Sequence, residues 1–364
     1  MIKKKITNYY KVFIQYLFKI LYGKIDGVLD PKNHKEIYQE EIIIEYLKYK
    51  LFNCKNAVLY TDTIHDTAII KDNKIIEGPS FQYRENIIEK SLKNTVLAKG
   101  TPRFRKKIKG SVYSFLVGGG GNTNYWHWLF DVLPKFFILK NSISFNSNNF
   151  FLFPSLEKKF QNQTLDIIGI NQNKRLSSKI YRHIEADEII TISHPYNFLN
   201  DPDKDSLNIP IWIFKFLKTT FLKNSLNNFN LKKIFPKKIF ISRKDGTSLR
   251  YIINEKEVKV FLTAKGYEEV ILSDYDFEDQ VFMFNNAEII VGLHGAGFAN
   301  IIFCKPKTKI IELRPVSAGE IIKNIALRND LDYYDMAIST KNINFNNQAG
   351  DIEVDLKILS ELVK

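Results

Sequence analysis

The stretch EIIVGLHGAGFANIIFC, residues 288–304, followed by KIIELRP at 309–315, carries the fold. An apolar run reads as a strand ending at Gly292, and a helix is expected from about Phe298, with a second strand after Cys304. Between them the chain places three glycines and a histidine within residues 292–297. In a parallel α/β sheet, ligands bind beyond the carboxyl ends of the strands. The loop His294-Gly295-Ala296-Gly297 therefore lies where backbone N–H groups and a helix start converge on an anion. Gly295 and Gly297 remove side chains that would hold a phosphate away, and His294 is a donor to it. The same spacing also suits a tight strand-to-helix turn that packs its histidine.

Working outward, the pattern repeats. KIFIS (238–242), NEKEVKVFLTAKG (254–266), YEEVILS (267–273) and DFEDQVFMFNNA (276–287) alternate as strand and helix. Asn254 is a candidate cap with Glu257 three residues on, and Gly266 closes that helix. Upstream, SVYSFLVGG is a strand, NYWHWLFDVLPKFFILK a helix, FFLFPS a strand, QNQTLDIIGI a helix and DEIITIS a strand. IPIWIFKFLKTTFLK is then a helix with Pro210 near its first turn. Short strands fill 56–88, with Asp72-Asn73 as a hairpin tip. The polar, aperiodic residues 224–238 read as a linker. Two α/β domains with parallel sheets follow. The expected divisions are a basic N-terminal segment 1–28, an acceptor-side domain 29–223, the linker, a nucleotide-sugar domain 239–350 and a C-terminal helix 351–364.

The chain has 364 residues and a net charge of +13, but only nine of its 53 basic residues are arginine. A phosphate-reading surface favours the bidentate arginine fork, so nucleic acid is not expected as a partner. Cys54 and Cys304 make neither a disulfide framework nor a metal-ligand spacing and read as buried apolar residues of a reducing, cytoplasmic setting. No run reaches the length of a membrane span. Lys11, Gln15 and Lys19 interrupt the early apolar run and argue against a cleavable signal.

Residues 1–24 hold six lysines and no acid. Lys4, Asn8, Lys11, Gln15 and Lys19 share one helical face, with Ile6, Tyr10, Phe13, Leu17 and Leu21 largely opposite. Such a helix suits either the surface of an anionic membrane, placing the protein peripherally on the inner membrane's cytoplasmic face, or its own protein's surface.

GGGGNTNYWHWLFDVLP, residues 118–134, is the second chemical stretch. Gly120 and Gly121 belong to an open turn, and Asn122, Thr123 or Asn124 is positioned to cap the next helix. His127 and Asp131, four apart, share a face near its start, and Pro134 is expected to kink it. A histidine oriented by a carboxylate is a general base; the alternative is a cap with an intrahelical contact. In ISRKDGTSLR (241–250), Arg243 lies just past a strand end, on the sheet edge that carries His294, and Arg250 follows. Glu312 ends the strand after the glycine loop, where a carboxylate can accept from ribose hydroxyls. Loop amides, arginines and glutamate together describe a nucleotide diphosphate site. Two Asp-x-Asp pairs, Asp201/Asp203 and Asp274/Asp276, read as a loop and a helix start, so no metal is expected.

SRKDGTSLRYIINEKEVKVFLTAKGYEEV, EDQVFMFNNAEIIVGLHGAGFANIIFCKPKTKIIELRP and NYWHWLFDVLPKFFIL together resemble glycosyltransferase family 61, over about residues 110–315. That family includes bacterial capsular-polysaccharide enzymes and eukaryotic xylosyl- and N-acetylglucosaminyltransferases. The resemblance implies a GT-B-like architecture, two Rossmann-like domains facing a cleft, and inverting, metal-independent transfer without a cofactor. It implies a nucleotide-sugar donor, by family habit a UDP-sugar, and a glycan or lipid-linked acceptor. It places Arg243, His294, Gly295, Gly297 and Glu312 at the donor site, to which Arg250, Ala296 and Asn300 are added by position. His127 and Asp131 fall on the facing domain as the catalytic pair, beside the acceptor-side loop of Gly120, Gly121 and Asn124. The alternatives are a metal-dependent GT-A transferase and a non-catalytic membrane-surface module of a polysaccharide assembly complex.

Overall fold

The computed structural model of the chain describes residues 2–62, 66–84, 87–89, 91–117, 123–199, 201–223, 225, 233–246, 250–341 and 350–364. Two compact units divide it, residues 1–213 and 214–364. Most of the linker expected at 224–238, and Gly120 and Gly121 of the expected acceptor-side loop, lie outside the described residues.

The second unit is built around a five-stranded parallel sheet. In sequence its strands are Lys238–Ile241, Glu268–Val270, Ile289–Leu293, Lys309–Pro315 and Asp332–Ile338. Counted within the unit, their spatial order is 2-1-3-4-5. That order reverses direction between strands 1 and 3, and ligands in such folds sit at that switch point. Helices Glu255–Ala264, Phe277–Asn286 and Ile321–Arg328 alternate with the strands. The core joins Phe240, Val291, Ile311 and Leu313 of the sheet to Val258 and Leu262 of the first helix.

Two local expectations change. The residues after the glycine loop form a 3-10 run, Ala296–Phe303, rather than an α-helix. Its carbonyls are claimed from outside: Asn329 Nδ2 donates to Ile301 O at 2.9 Å, and Asn285 Nδ2 to Phe303 O at 2.9 Å. These amides bond carbonyls at the end of the run, which is thereby tied to its neighbours. Asn254 stands at the N-cap but does not cap with its side chain. Instead its amide pairs both backbone groups of Val354, at 2.9 Å each, and so ties residues 251–254 to the C-terminal segment. Gly266 closes that helix as read, with a φ of 81° that favours glycine.

The first unit carries an eleven-stranded mixed sheet, so the expectation of parallel sheets in both halves holds there only in part. Lys106–Ser114 lies parallel to both His183–Ile192 and Phe150–Phe153, and the latter is parallel to Arg175–Ser177. Helical crossovers separate these strands. The remainder is mostly antiparallel because short turns join neighbours. Ile37–Ile44 and Leu47–Tyr60 pair around Glu45-Tyr46, and Asp66–Lys71 and Lys74–Ile76 around Asp72-Asn73. Asp72 and Asn73 both have positive φ, 49° and 56°, the geometry a two-residue hairpin prefers. Cys54 and Cys304 are buried free thiols, the former pushed up to about 12 by burial.

Candidate active site

In the second unit, the first and third strands end side by side, Ile241 opposite Gly292. The chain past Ile241 delivers Arg243, whose Nη1 donates to His294 O at 2.7 Å. Its guanidinium lies against two glycines. A Cβ at Gly295 would come within 2.2 Å of Nη1, and one at Gly246 within 3.1 Å of Nε and Nη2. Glycine is required at 295 by this close approach, since its φ of 167° is ordinary extended backbone. The first bond of the 3-10 run goes from Phe298 N to Gly295 O at 3.0 Å. The amides of Ala296 and Gly297 precede it and have no acceptor within the run, and residues 295–297 are partly exposed.

Arg250 is the informative residue. It is only 5% exposed, and among the described residues its Nε and Nη1 have no hydrogen-bond partner. The neighbouring segment is pinned: Tyr251 N donates to Asp351 Oδ1 at 2.8 Å, and Ile252 bridges to Ile352. Burial, and then the Arg243 charge, push its pKa down to about 10, while Glu312 acts in the opposite sense. Burial likewise lowers Arg243. Two guanidiniums held close in a dehydrated place, one with N–H groups left over, have the chemistry to accept a multiply charged anion.

His294 and Glu312 sit beneath. Both are buried; His294 Nδ1 hydrogen-bonds Glu312 Oε1, and Tyr333 OH donates to Oε2. His294 N also donates to Leu313 O at 2.8 Å. Both Glu312 oxygens are thus engaged inside the protein and neither is offered to a ribose. The glutamate instead orients the histidine under the loop. Asn300 is fully buried and donates to Gln280 Oε1 at 3.0 Å, so it shapes the interior. Of the residues expected on the donor side, Arg243, Arg250, Gly295, Ala296 and Gly297 come together at these strand ends.

We expect Gly295→Ala to weaken binding of a diphosphate about tenfold, because its methyl displaces Arg243 from His294 O. Calorimetric titration measures this, and a thermal midpoint close to the parent's would locate the effect at this site.

The first unit holds the second cluster. Asn124 caps the helix after the strand Lys106–Ser114, its Oδ1 accepting from Trp126 N at 2.9 Å. Residues 128–132 form a π-turn, with Leu133 N–H reaching Trp128 O, before the α-helix Leu133–Lys140. Pro134 has no N–H to give Phe130 O, and its ring would crowd that carbonyl; widening the turn relieves both, where the sequence suggested a kink.

His127 Nδ1 and Asp131 Oδ2 are 2.6 Å apart. Two further residues, missed in the sequence, complete the cluster. Tyr196 OH donates to Asp131 Oδ1, and His194 Nε2 lies 3.8 Å from Oδ2. Both follow the strand His183–Ile192, which runs parallel to Lys106–Ser114, so adjacent strand ends supply the whole group. SHPYN directly after DEIITIS was the available signal. Burial opposes charge on Asp131, but the His127 and His194 rings outweigh it and hold the carboxyl well below its usual range. Burial opposes protonation of His127, and Asp131 outweighs it in turn and raises the imidazole. An ionised Asp131 only accepts, which fixes the His127 proton on Nδ1 and leaves Nε2 as a lone pair. The His127 side chain is 35% exposed, Asp131 6%. This is the geometry that a general base with an orienting carboxylate requires.

Asp201 accepts from Lys204 N at 3.3 Å, and Asp276 stands at the N-cap of Phe277–Asn286. Among the described residues, no group of three or more His, Cys, Asp or Glu is arranged to hold a metal ion.

With this geometry in place, the comparisons bear on it directly. The family model described as Glycosyltransferase 61 matches residues 125–311, just over half of the chain, from the helix of His127 through the glycine loop. No curated protein matches the chain.

Proposed function

This chain belongs to glycosyltransferase family 61, and from that premise we propose that it is an inverting, metal-independent transferase. Glycosyltransferase activity, with a nucleotide-sugar donor and a glycan acceptor, follows from the family. Our reading adds that the donor is a UDP-sugar, that the acceptor is a hydroxyl of a glycan or glycolipid, and that the product is a capsular or related surface polysaccharide. It includes the GT-B arrangement that the resemblance implies, with no cofactor and a cytoplasmic setting. The buried free thiols agree with a reducing compartment.

Arg250 carries the reading. A buried guanidinium with unused donors, beside a second arginine at the switch point of a 2-1-3-4-5 sheet, is costly unless an anion completes it. A nucleotide diphosphate is such an anion. In the transfer, the acceptor oxygen attacks C1 of the sugar and its proton passes to His127 Nε2. The bond from C1 to the diphosphate oxygen breaks, and the electron pair leaves with the diphosphate. Arg243, Arg250 and the amides of Ala296 and Gly297 stabilise the charge that develops there. Asp131 keeps His127 in the accepting tautomer, with Tyr196 and His194 fixing the carboxylate.

Thermal-shift titration against UDP, GDP, CMP and their sugars tests this. A rise of a few degrees with UDP or a UDP-sugar is expected. No shift with any nucleotide would refute the reading, and loss of turnover with a chelator would refute its metal independence.

A further inference from the structure

The N-terminal helix Ile2–Tyr22 is seated by one narrow stripe. Phe18, 1% exposed, packs edge-on to Tyr22 and Tyr60, with ring centroids 5.2 and 5.4 Å away. It lies so close to Gly100 that a Cβ there would come within 2.7 Å of the ring. Tyr22 meets His183 edge-on at 4.4 Å, takes the Arg105 guanidinium over its ring at 4.7 Å, and donates its hydroxyl to Arg103 O. Ile14, one turn before Phe18, is half-buried on the same stripe. The seat fixes the rotation of the helix.

What it leaves outside is not the polar face. Tyr16 and Ile20 stand two residues either side of Phe18, about 160–200° round the helix, and are 60% and 61% exposed. Tyr9 and Phe13 continue that stripe, and Tyr10, Val12 and Leu21 widen it, all of them exposed. The helix thus docks on its own protein, as one of the two expectations had it, through Phe18 and Tyr22, while the face of Tyr10, Phe13 and Leu21 stays exposed. Lys19 is exposed beside it, Lys11 is exposed on the seat side one turn beyond Ile14, and residues 1–24 carry six lysines without an acid. Among the described residues, no helix is long and apolar enough to cross a membrane.

We propose that this outer face is an interfacial anchor that lies in the headgroup region of an anionic bilayer. Three observations select that occupant. The face is opposite the seat, so it is presented without unfolding anything. It is built from tyrosine, phenylalanine and aliphatic side chains, the mixture that partitions to the boundary of headgroups and acyl chains. The segment that carries it holds six lysines and no acid, a charge that complements anionic lipid and repels a like copy of itself. The proposal stands apart from the transferase reading, because it uses no residue of either cluster.

Flotation of the full-length protein tests it, with vesicles of phosphatidylglycerol and phosphatidylethanolamine or of phosphatidylcholine alone. The protein is expected to float with the anionic vesicles, and far less with the neutral ones or at high salt. Phe13→Ser/Tyr16→Ser/Ile20→Ser should reduce anionic binding about tenfold or more, and Lys11→Glu/Lys19→Glu should abolish the preference for anionic lipid. Both variants should keep the parent's thermal midpoint and any nucleotide-induced shift, since every substituted side chain is exposed. The proposal is overturned if neither vesicle binds, or if the triple variant floats like the parent. It is equally overturned if light scattering shows a dimer that the triple variant dissociates while vesicle binding is absent, which would make the face a self-association surface.

Discussion

Replacing Arg250 with methionine should leave the protein as stable as the parent, or more so, while its affinity for UDP falls about a hundredfold. The two halves of this expectation come from one fact. A guanidinium that is 5% exposed with Nε and Nη1 unpartnered has lost water without gaining donors' partners, and it sits close to the Arg243 charge. Burial of a charge in that condition destabilises the empty protein, and an apolar side chain of similar length removes the penalty. When a diphosphate arrives, the same N–H groups form charge-assisted hydrogen bonds in a place of low polarity. Losing them costs about 2–5 kcal/mol, which brackets the hundredfold. Calorimetry with UDP and a thermal melt of the empty protein give the two numbers. A thermal midpoint lowered by several degrees with unchanged UDP affinity would make Arg250 a counter-ion of Glu312, and the diphosphate reading would fall with it.

The second large effect lies in the first unit. His127→Ala should lower kcat by about a thousandfold with donor affinity unchanged. Asp131→Asn is the more discriminating variant, because the sign of its pH effect is fixed. Neutral His127 accepts the proton, so the rate rises with pH as the imidazole loses its charge. Asp131 raises that imidazole against the opposing effect of burial, so the acid limb of kcat/KM lies above the ordinary histidine value of about 6.5. With asparagine the attraction is gone, the imidazole titrates lower, and the limb moves to lower pH while kcat falls. His194 and Tyr196 face the same carboxylate and are left in place in this variant. A limb that stays in place, or moves to higher pH, would remove Asp131 from its role. A mere packing contact would reduce stability without moving the limb at all.

The second unit was legible because its signals are local. Each strand of Lys238–Ile241, Ile289–Leu293 and Lys309–Pro315 is a short apolar run, and Gly266 ends the intervening helix at a positive φ that its residue type announces. The pairing of His127 with Asp131 was legible for the same reason, as helical spacing alone brings positions four apart together. Contacts closed by tertiary structure were not. Nothing near Asn254 in sequence indicates that its amide binds Val354, nor that Glu312 turns both oxygens inward to His294 and Tyr333. The hairpin at Glu45-Tyr46 lacks the Asn-Gly or Asp-Gly signature, and Ile37–Ile44 and the part of Leu47–Tyr60 before residue 56 went unread. The last strand of the second sheet, Asp332–Ile338, is more exposed and alternates weakly, which hid it as well. The amphipathic start of the chain was visible, but which face would be seated was decided by Phe18 and Tyr22, two residues outside the apolar arc.

The order of strands in the second sheet also governs how the protein comes off the ribosome. Its first strand is interior, and one of its two neighbours arrives only when Ile289–Leu293 has been made. Arg243 and Arg250 therefore emerge well before the glycine loop and Glu312, and at ordinary elongation rates the nascent chain carries two unsheltered cations for several seconds. A pause in translation before residue 313 is expected to prolong exposure of Phe240 and Ile241 to chaperones or to aggregation. On the proposed reading of this site, nucleotide binding begins only after that point in synthesis.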